Sequence, residues 1–242
     1  MKKIILIMIS FSVLFAIQPQ RIVHCPTAGI ADNGKLLFFV SAFPGDGLRC
    51  GATLGLWDRL QAGVSYGAMN IVGNGSVKVD GYPGFEMRFR IKHEGISTPA
   101  VALGVETIGF GKYLSDRKRY EHKSRGAFIV TSKNWKVLWG SLGAHIGMNY
   151  SFEENFSRGF STYIGIDKDF KDAVGFKLEY DLAIGDWKKP YGNGYGYLSA
   201  AICAYFGESS YVTFDFFDIL GNIVGKVPPS REFFVYFGAK IF

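Results

Sequence analysis

AVGFKLEYDLAI, residues 173–184, alternates apolar and polar side chains with a period of two. One face carries Val174, Phe176, Leu178, Tyr180, Leu182 and Ile184, and the other carries Ala173, Gly175, Lys177, Glu179 and Asp181. Because successive side chains of a strand point to opposite faces, a strand between an apolar and a polar medium needs this alternation. The segment therefore predicts a β-strand with one apolar face.

The same pattern recurs along the chain and predicts an all-β protein. It is clear again at residues 84–93 and 211–217, where apolar side chains oppose charged or polar ones. The predicted strands are 35–43, 48–57, 60–69, 84–93, 99–109, 125–132, 137–150, 158–167, 173–184, 194–206, 211–217 and 231–242. An even number of strands is typical of single-chain outer-membrane barrels.

The connections between the predicted strands alternate in length, except that the first outer connection, 44–46, is short. The long ones are 70–83, 110–124, 151–157, 185–193 and 218–230, and the short ones are 57–59, 94–98, 133–136, 170–171 and 207–209. Transmembrane barrels have long loops at one rim and tight turns at the other, whereas a soluble β-sandwich has no reason for this phasing. We therefore expect an antiparallel transmembrane β-barrel of about twelve strands, with a secreted soluble β-protein as the alternative.

The N-terminus has the features of a secretory signal peptide. Lys2 and Lys3 precede an apolar run at residues 4–17, which is too short to span a bilayer comfortably. We expect cleavage after this run, at or before Cys25. An uncleaved anchor and a lipidated Cys25 are alternatives, although His24 is the wrong kind of residue to precede a lipidated cysteine.

Composition limits the other classes of function. The formal net charge is +6, but the basic residues do not cluster as nucleic-acid binding requires. The cysteines Cys25, Cys50 and Cys203 are odd in number and irregularly spaced, so we expect no disulfide framework, metal site or cofactor. We place Cys50 and Cys203 on lipid-facing positions as free thiols. Without a linker, residues 1–24 form the signal peptide and a short N-terminal segment, and residues 25–242 form one barrel domain.

Charged side chains occupy the polar faces of the predicted strands. Those expected in the lumen are Arg49, Glu86, Arg88, Arg90, Lys92, Glu106, Lys177, Glu179, Asp181 and Asp215. Long side chains of both signs favour a narrow polar interior over a wide pore.

The connection 110–124 holds the densest charge cluster of the chain, with Arg117, Lys118, Arg119 and Lys123. This basic cluster is either a solvated loop or an outer-rim site for lipopolysaccharide phosphates or an acidic polysaccharide.

The chain ends in FFVYFGAKIF, residues 233–242. This end resembles the C-terminal signal that the barrel-assembly machinery reads in outer-membrane proteins, with Phe242 as the terminal aromatic residue. Lys240 departs from that pattern, which usually has an apolar or aromatic residue there. The resemblance implies that the barrel-assembly machinery is a partner.

Several motifs resemble the YjbH-type outer-membrane proteins associated with exopolysaccharide loci. They are PTAG at 26–29, GLWDRLQAGVSYG at 55–67, PAVALGVETIGFGKY at 99–113 and GAFIVTSKNW at 126–135. The resemblance implies the outer membrane of a diderm bacterium and a role in surface polysaccharide handling or export. It supplies no catalytic residues.

An outer-membrane hydrolase of the phospholipase or lipid A deacylase type is the alternative function. It needs a serine nucleophile, a histidine and an orienting partner. Ser141 and His145 share the inward face of one predicted strand, but four residues along a strand span about 13 Å, beyond hydrogen-bond reach. We identify no catalytic residue and expect a non-enzymatic narrow pore or envelope scaffold.

Overall fold

The computed structural model describes residues 19–153, 159–171, 173–206 and 210–242. Residues 1–18, which hold most of the predicted signal peptide, lie outside the described residues. The strands are β1 Lys35–Phe43, β2 Gly47–Leu56, β3 Leu60–Met69, β4 Lys78–Val79, β5 Gly84–Lys92, β6 Ala100–Glu106, β7 Phe110–Leu114, β8 Arg119–His122, β9 Gly126–Val137, β10 Gly140–Tyr150, β11 Ser161–Phe170, β12 Val174–Asp181, β13 Tyr197–Phe206, β14 Ser210–Phe217 and β15 Ser230–Lys240. A short 3-10 helix spans Ile184–Asp186.

Twelve of these strands form one closed antiparallel wall, and the strands outside the wall are β4, β7 and β8. Each wall strand pairs with the wall strands before and after it, and β1 closes the barrel by pairing with β15. Closure leaves the wall without an edge strand, which satisfies the backbone polar groups in a bilayer. The predicted all-β, twelve-stranded barrel is confirmed.

The outer surface of the wall is apolar. Val64, Ile146 and Ile164 are each more than half exposed, and similar side chains point outward from the other wall strands. Soluble monomers rarely expose so large an apolar area, whereas lipid contact requires it. Trp57 and Trp139 are exposed at the short-turn rim, where aromatic side chains meet the membrane interface. The barrel is therefore of the transmembrane type.

The turn after β9 lies further along the chain than the sequence predicts. The predicted turn 133–136 belongs to β9, because Lys133 and Lys136 pair with residues of β10. The chain reverses at Leu138 and Trp139, and Trp139 has a φ of 62°. Charged residues are common both at strand ends and in turns, so the sequence does not distinguish the end of β9 from a turn.

The lipid-facing position predicted for Cys203 is wrong, whereas Cys50 is exposed on the outer surface. Cys203 is fully buried and pairs with Gly175 and Thr213 on the inward side of the wall. Small residues occupy both faces of β13, so the sequence there hardly distinguishes the two sides.

Candidate functional site

The lumen is occupied by residues 19–31, which we call the N-terminal plug. Its side chains Ile22, His24 and Cys25 are almost completely buried. The plug reverses direction at its tip, where the Ile22 N–H donates to the Cys25 carbonyl over 2.9 Å. It then leads into the start of β1, so it enters the barrel from the short-turn rim. Residues 19–24, predicted to belong to the signal peptide and the short N-terminal segment, lie in the lumen.

Arg88 on β5 holds both arms of the plug. Its Nη1 donates to the carbonyl oxygens of Gln20, Thr27 and Gly29 over 2.9, 3.2 and 2.8 Å. Arg88 is almost completely buried. Hydrogen bonds from a charged donor in a water-poor interior are stronger than neutral ones. Arg88 is therefore a main anchor of the plug.

Glu179 on β12 holds the tip of the plug. Its Oε2 accepts the backbone N–H groups of Val23, His24 and Cys25 over 2.9, 3.0 and 2.8 Å. Successive N–H groups that converge on one oxygen form an anion-binding concavity. The tip is thus built around a carboxylate of the wall.

Arg21 links the plug to β5 a second time and also to β6. Its Nη2 lies 3.0 Å from Glu86 Oε2 and 2.6 Å from Glu106 Oε2, on β5 and β6. Lys177 Nζ donates to the Arg21 carbonyl over 3.0 Å. Because removal of one partner leaves a buried charge unpaired, such pairs strongly fix the position of the segment.

The connection 110–124 is largely a hairpin, β7–β8, that folds into the lumen from the long-loop rim. The prediction that Arg119 and Lys123 belong to a basic cluster at the rim is wrong, because both are buried against Asp186. Arg119 contacts both Asp186 oxygens over 2.8 Å. Burial alone would raise the pKa of Asp186, but the hydrogen bonds from Arg119 and the charge of Lys123 lower it. Arg117 and Lys118 stay at the surface.

The plug and the hairpin meet through two histidines. His24 Nδ1 lies 2.9 Å from His122 Nδ1, and His24 Nε2 lies 3.2 Å from Glu232 Oε2. Arg125 Nη2 donates to His122 Nε2 over 3.0 Å, and burial together with the Arg125 charge lowers the pKa of His122 well below its ordinary value. His122 therefore donates from Nδ1 to His24, which in turn donates from Nε2 to Glu232. We call this chain the histidine relay.

The predicted lumen residues divide by their place in the wall. Arg49, Glu86, Arg88, Glu106, Lys177, Glu179, Asp181 and Asp215 are buried inside the barrel, and Arg90 is half-buried. Lys92 is exposed instead, because the pairing of β5 with β6 shifts register between Arg90 and Lys92 at the rim. Sequence reasoning missed Arg21, His24, His122 and Asp186.

A Ser-His-Asp arrangement occurs in the wall, with partners that sequence spacing did not reveal. His145 Nδ1 lies 2.8 Å from Ser132 Oγ, and His145 Nε2 lies 2.6 Å from Asp167 Oδ1. Ser132 Oγ accepts the Ala28 N–H over 2.8 Å, and the adjacent cavity is only about 10 Å³. Ser141 instead donates to Asp169. The arrangement supports the plug and has no room for a substrate.

A larger cavity, the outer vestibule, opens on the long-loop side of the plug. It has a volume of about 330 Å³, and Phe110, His122 and Phe217 form its floor. Beside the plug the lumen narrows to a cavity of about 30 Å³, near Arg21 and Tyr236. Such a cavity accommodates little more than a water molecule. Within the described residues, no group of three or more metal-ligating side chains is arranged to hold an ion.

Comparison with known proteins identifies the barrel type. No family model and no curated protein matches the chain. A KdgM porin is similar with a TM-score of 0.51 and 12% identity, over 86% of this chain and 99% of that one. A KdgM porin in complex with disordered oligogalacturonate has a TM-score of 0.49 and 11% identity, over 86% and 99% of the two chains. A NanC porin in a rhombohedral crystal form has a TM-score of 0.45 and 11% identity, over 86% of this chain and 100% of that one. The likeness to the first structure shows the porin-like fold.

Proposed function

We propose that this porin-like barrel is an outer-membrane channel that its own N-terminal plug closes at rest, and that it takes part in surface polysaccharide handling. The burial of residues 19–31 in the lumen carries the proposal. The plug leaves cavities too small for solutes beside it, so the state described is a closed one. The fold and the apolar outer surface support an outer-membrane location.

The way in which the plug is held favours a gated channel. Arg88, Glu179 and Arg21 bind it through hydrogen bonds and ion pairs, which water can replace when the segment leaves. Its C-terminal end joins the wall through residues 32–34 only, so the plug can leave without disturbing a wall strand. The close burial of the plug favours a second candidate, a permanently closed envelope scaffold.

The polysaccharide role rests on the resemblance to YjbH-type proteins at motifs such as residues 55–67 and 126–135. We propose that outer-membrane lipid and lipopolysaccharide surround the barrel, and the apolar outer surface of the wall supports this. We propose the barrel-assembly machinery as the partner that inserts it, and Phe242 as the residue that this machinery reads.

Conductance measurement tests the proposal. The chain from residue 19 onward is refolded into planar bilayers beside a variant that lacks residues 19–31, after the native protein is shown to fractionate with outer membrane. We expect a mostly silent wild type and stable conductance steps in the variant, because the deletion removes the plug and leaves only the β7–β8 hairpin in the lumen. A large, steady wild-type conductance would contradict plugging. A folded deletion variant that stays silent would favour the scaffold.

A further inference from the structure

The outer vestibule and the tip of the plug share four side chains. Phe110, His122, Phe217 and Glu232 line the vestibule, and all four contact His24. The rings of His24 and Phe110 stack with centroids 3.9 Å apart, and the histidine relay joins His24 to His122 and Glu232. A molecule in the vestibule would therefore meet the groups that hold the plug in place.

The size of the vestibule suits a small organic molecule. Its volume of about 330 Å³ lies at the lower end of the roughly 300–1,000 Å³ found for ligand pockets. Ile223, Val227 and Pro228 supply apolar surface, and Ser230 adds a hydroxyl. A sugar has matching chemistry, because its C–H faces are apolar and its hydroxyls need hydrogen-bond partners.

The charges around the vestibule carry a small negative excess, because three carboxylates face two cations. Lys226 pairs with Glu121 over 2.9 Å, and the carboxylate of Asp218 accepts backbone N–H groups of its own loop. Arg231 and Glu232 add one charge of each sign. A small negative excess gives no attraction for an acidic polymer, so the lining favours a neutral ligand over an acidic one.

We propose that the outer vestibule binds a neutral saccharide and that this binding loosens the N-terminal plug through His24. The proposal rests on the function proposed above and names the class of ligand that acts on it. The ligand site faces the long loops, while the plug enters from the short-turn rim. Binding on one side of the barrel would thus be transmitted to the segment that closes it.

Competition for Glu232 provides the coupling. Glu232 Oε2 accepts from His24 in the closed state, and a saccharide hydroxyl that takes the lone pair facing His24 competes with that contact. His24 is completely buried, so an unpaired ring N–H there is costly. A ligand shifts a two-state equilibrium only by its differential affinity for the states. The saccharide therefore binds the Glu232 carboxylate more strongly in the open state, in which His24 no longer contacts it.

The native Cys25 reports the position of the plug. In a full-length Cys50→Ala, Cys203→Ala protein it is the only thiol, since the chain has three cysteines. Its modification by a small maleimide is timed in detergent with maltotetraose or trigalacturonate, and binding of each is measured by calorimetry. We expect maltotetraose to bind and to speed modification at least about five-fold, the lower end of typical allosteric coupling. Trigalacturonate should bind at least about ten-fold more weakly, a difference of about 1.4 kcal/mol.

Matched tryptophan variants locate the site. Ser230→Trp fills the vestibule and should abolish binding, whereas Ser76→Trp introduces the same side chain in an exposed outer loop and should not. Three results would overturn the inference. They are unchanged maltotetraose binding in Ser230→Trp, a preference for trigalacturonate, and maltotetraose binding that does not speed the modification of Cys25. These results differ from failure of the proposed function, which the plug deletion reports without any ligand.

Discussion

Replacement of Arg88 by methionine should open the barrel, because Arg88 donates to three carbonyl oxygens on both arms of the plug. Each hydrogen bond from a charged donor contributes about 1.5–3 kcal/mol. Nη1 has only two protons, and water rehydrates part of the carbonyl groups once the plug moves. We expect the free energy that favours the closed state to fall by about 2–4 kcal/mol, which is a shift of about 30- to 700-fold toward the open state. Methionine keeps apolar contact with Phe128, over which the guanidinium lies.

Planar-bilayer recording and Cys25 modification measure this shift independently. The Arg88→Met protein should show frequent conductance steps and faster Cys25 labelling than the parent protein. Lys92→Met is the matched control, because Lys92 lies on the same strand but is exposed at the rim. If Arg88→Met stays folded and is as silent and as protected as Lys92→Met, Arg88 does not anchor the plug and the reasoning fails.

Three further predictions address the tip of the plug, the β7–β8 hairpin and assembly. Glu179→Gln should also raise conductance in bilayers, since an amide offers one acceptor and adds an N–H beside three donors; unchanged silence would contradict this. Acid should detach the β7–β8 hairpin. The fold lowers the pKa of Asp186, so the ionised Asp186 stabilises the hairpin fully at pH values above the ordinary aspartate pKa of about 3.9. This contribution is lost as the pH falls through the lowered pKa. Proteolysis after Lys118 by an acid-tolerant protease should rise only at such pH, and cleavage that rises near neutrality would refute it. Phe242→Ser should lower assembly into the outer membrane but not export to the periplasm, and normal assembly would place the signal elsewhere.

The wall of the barrel was predictable because alternation is a local property. Residues 173–184 show which side chains face lipid, and the strand β12 keeps Phe176 and Leu178 outward and Lys177 and Glu179 inward. The signal fails where both faces are small, as around Cys203, or where charge continues to the end of a strand, as at Lys133.

The plug was not predictable in the same way. Its partners are remote in sequence, since Arg21 contacts Glu106 and Val23 contacts Glu179, and its own residues lack a regular period. The available signal was indirect: long inward charges of both signs on facing walls need partners in a confined lumen. That argument predicted a narrow interior, but it did not show that residues 19–31 fill it.

The reactivity of Cys25 in native outer membranes tests the central account most directly. In the Cys50→Ala, Cys203→Ala protein, a small maleimide should modify Cys25 slowly. The reference is the same protein with Cys25→Ala and Asp32→Cys added, and its single thiol should react far faster. Asp32 provides this reference because its side chain is 81% exposed just after the plug. Slow labelling that becomes fast on unfolding is the predicted result. Labelling of Cys25 at the rate of the exposed reference, or a mature protein that lacks residues 19–25, would contradict a barrel closed by its own N-terminus.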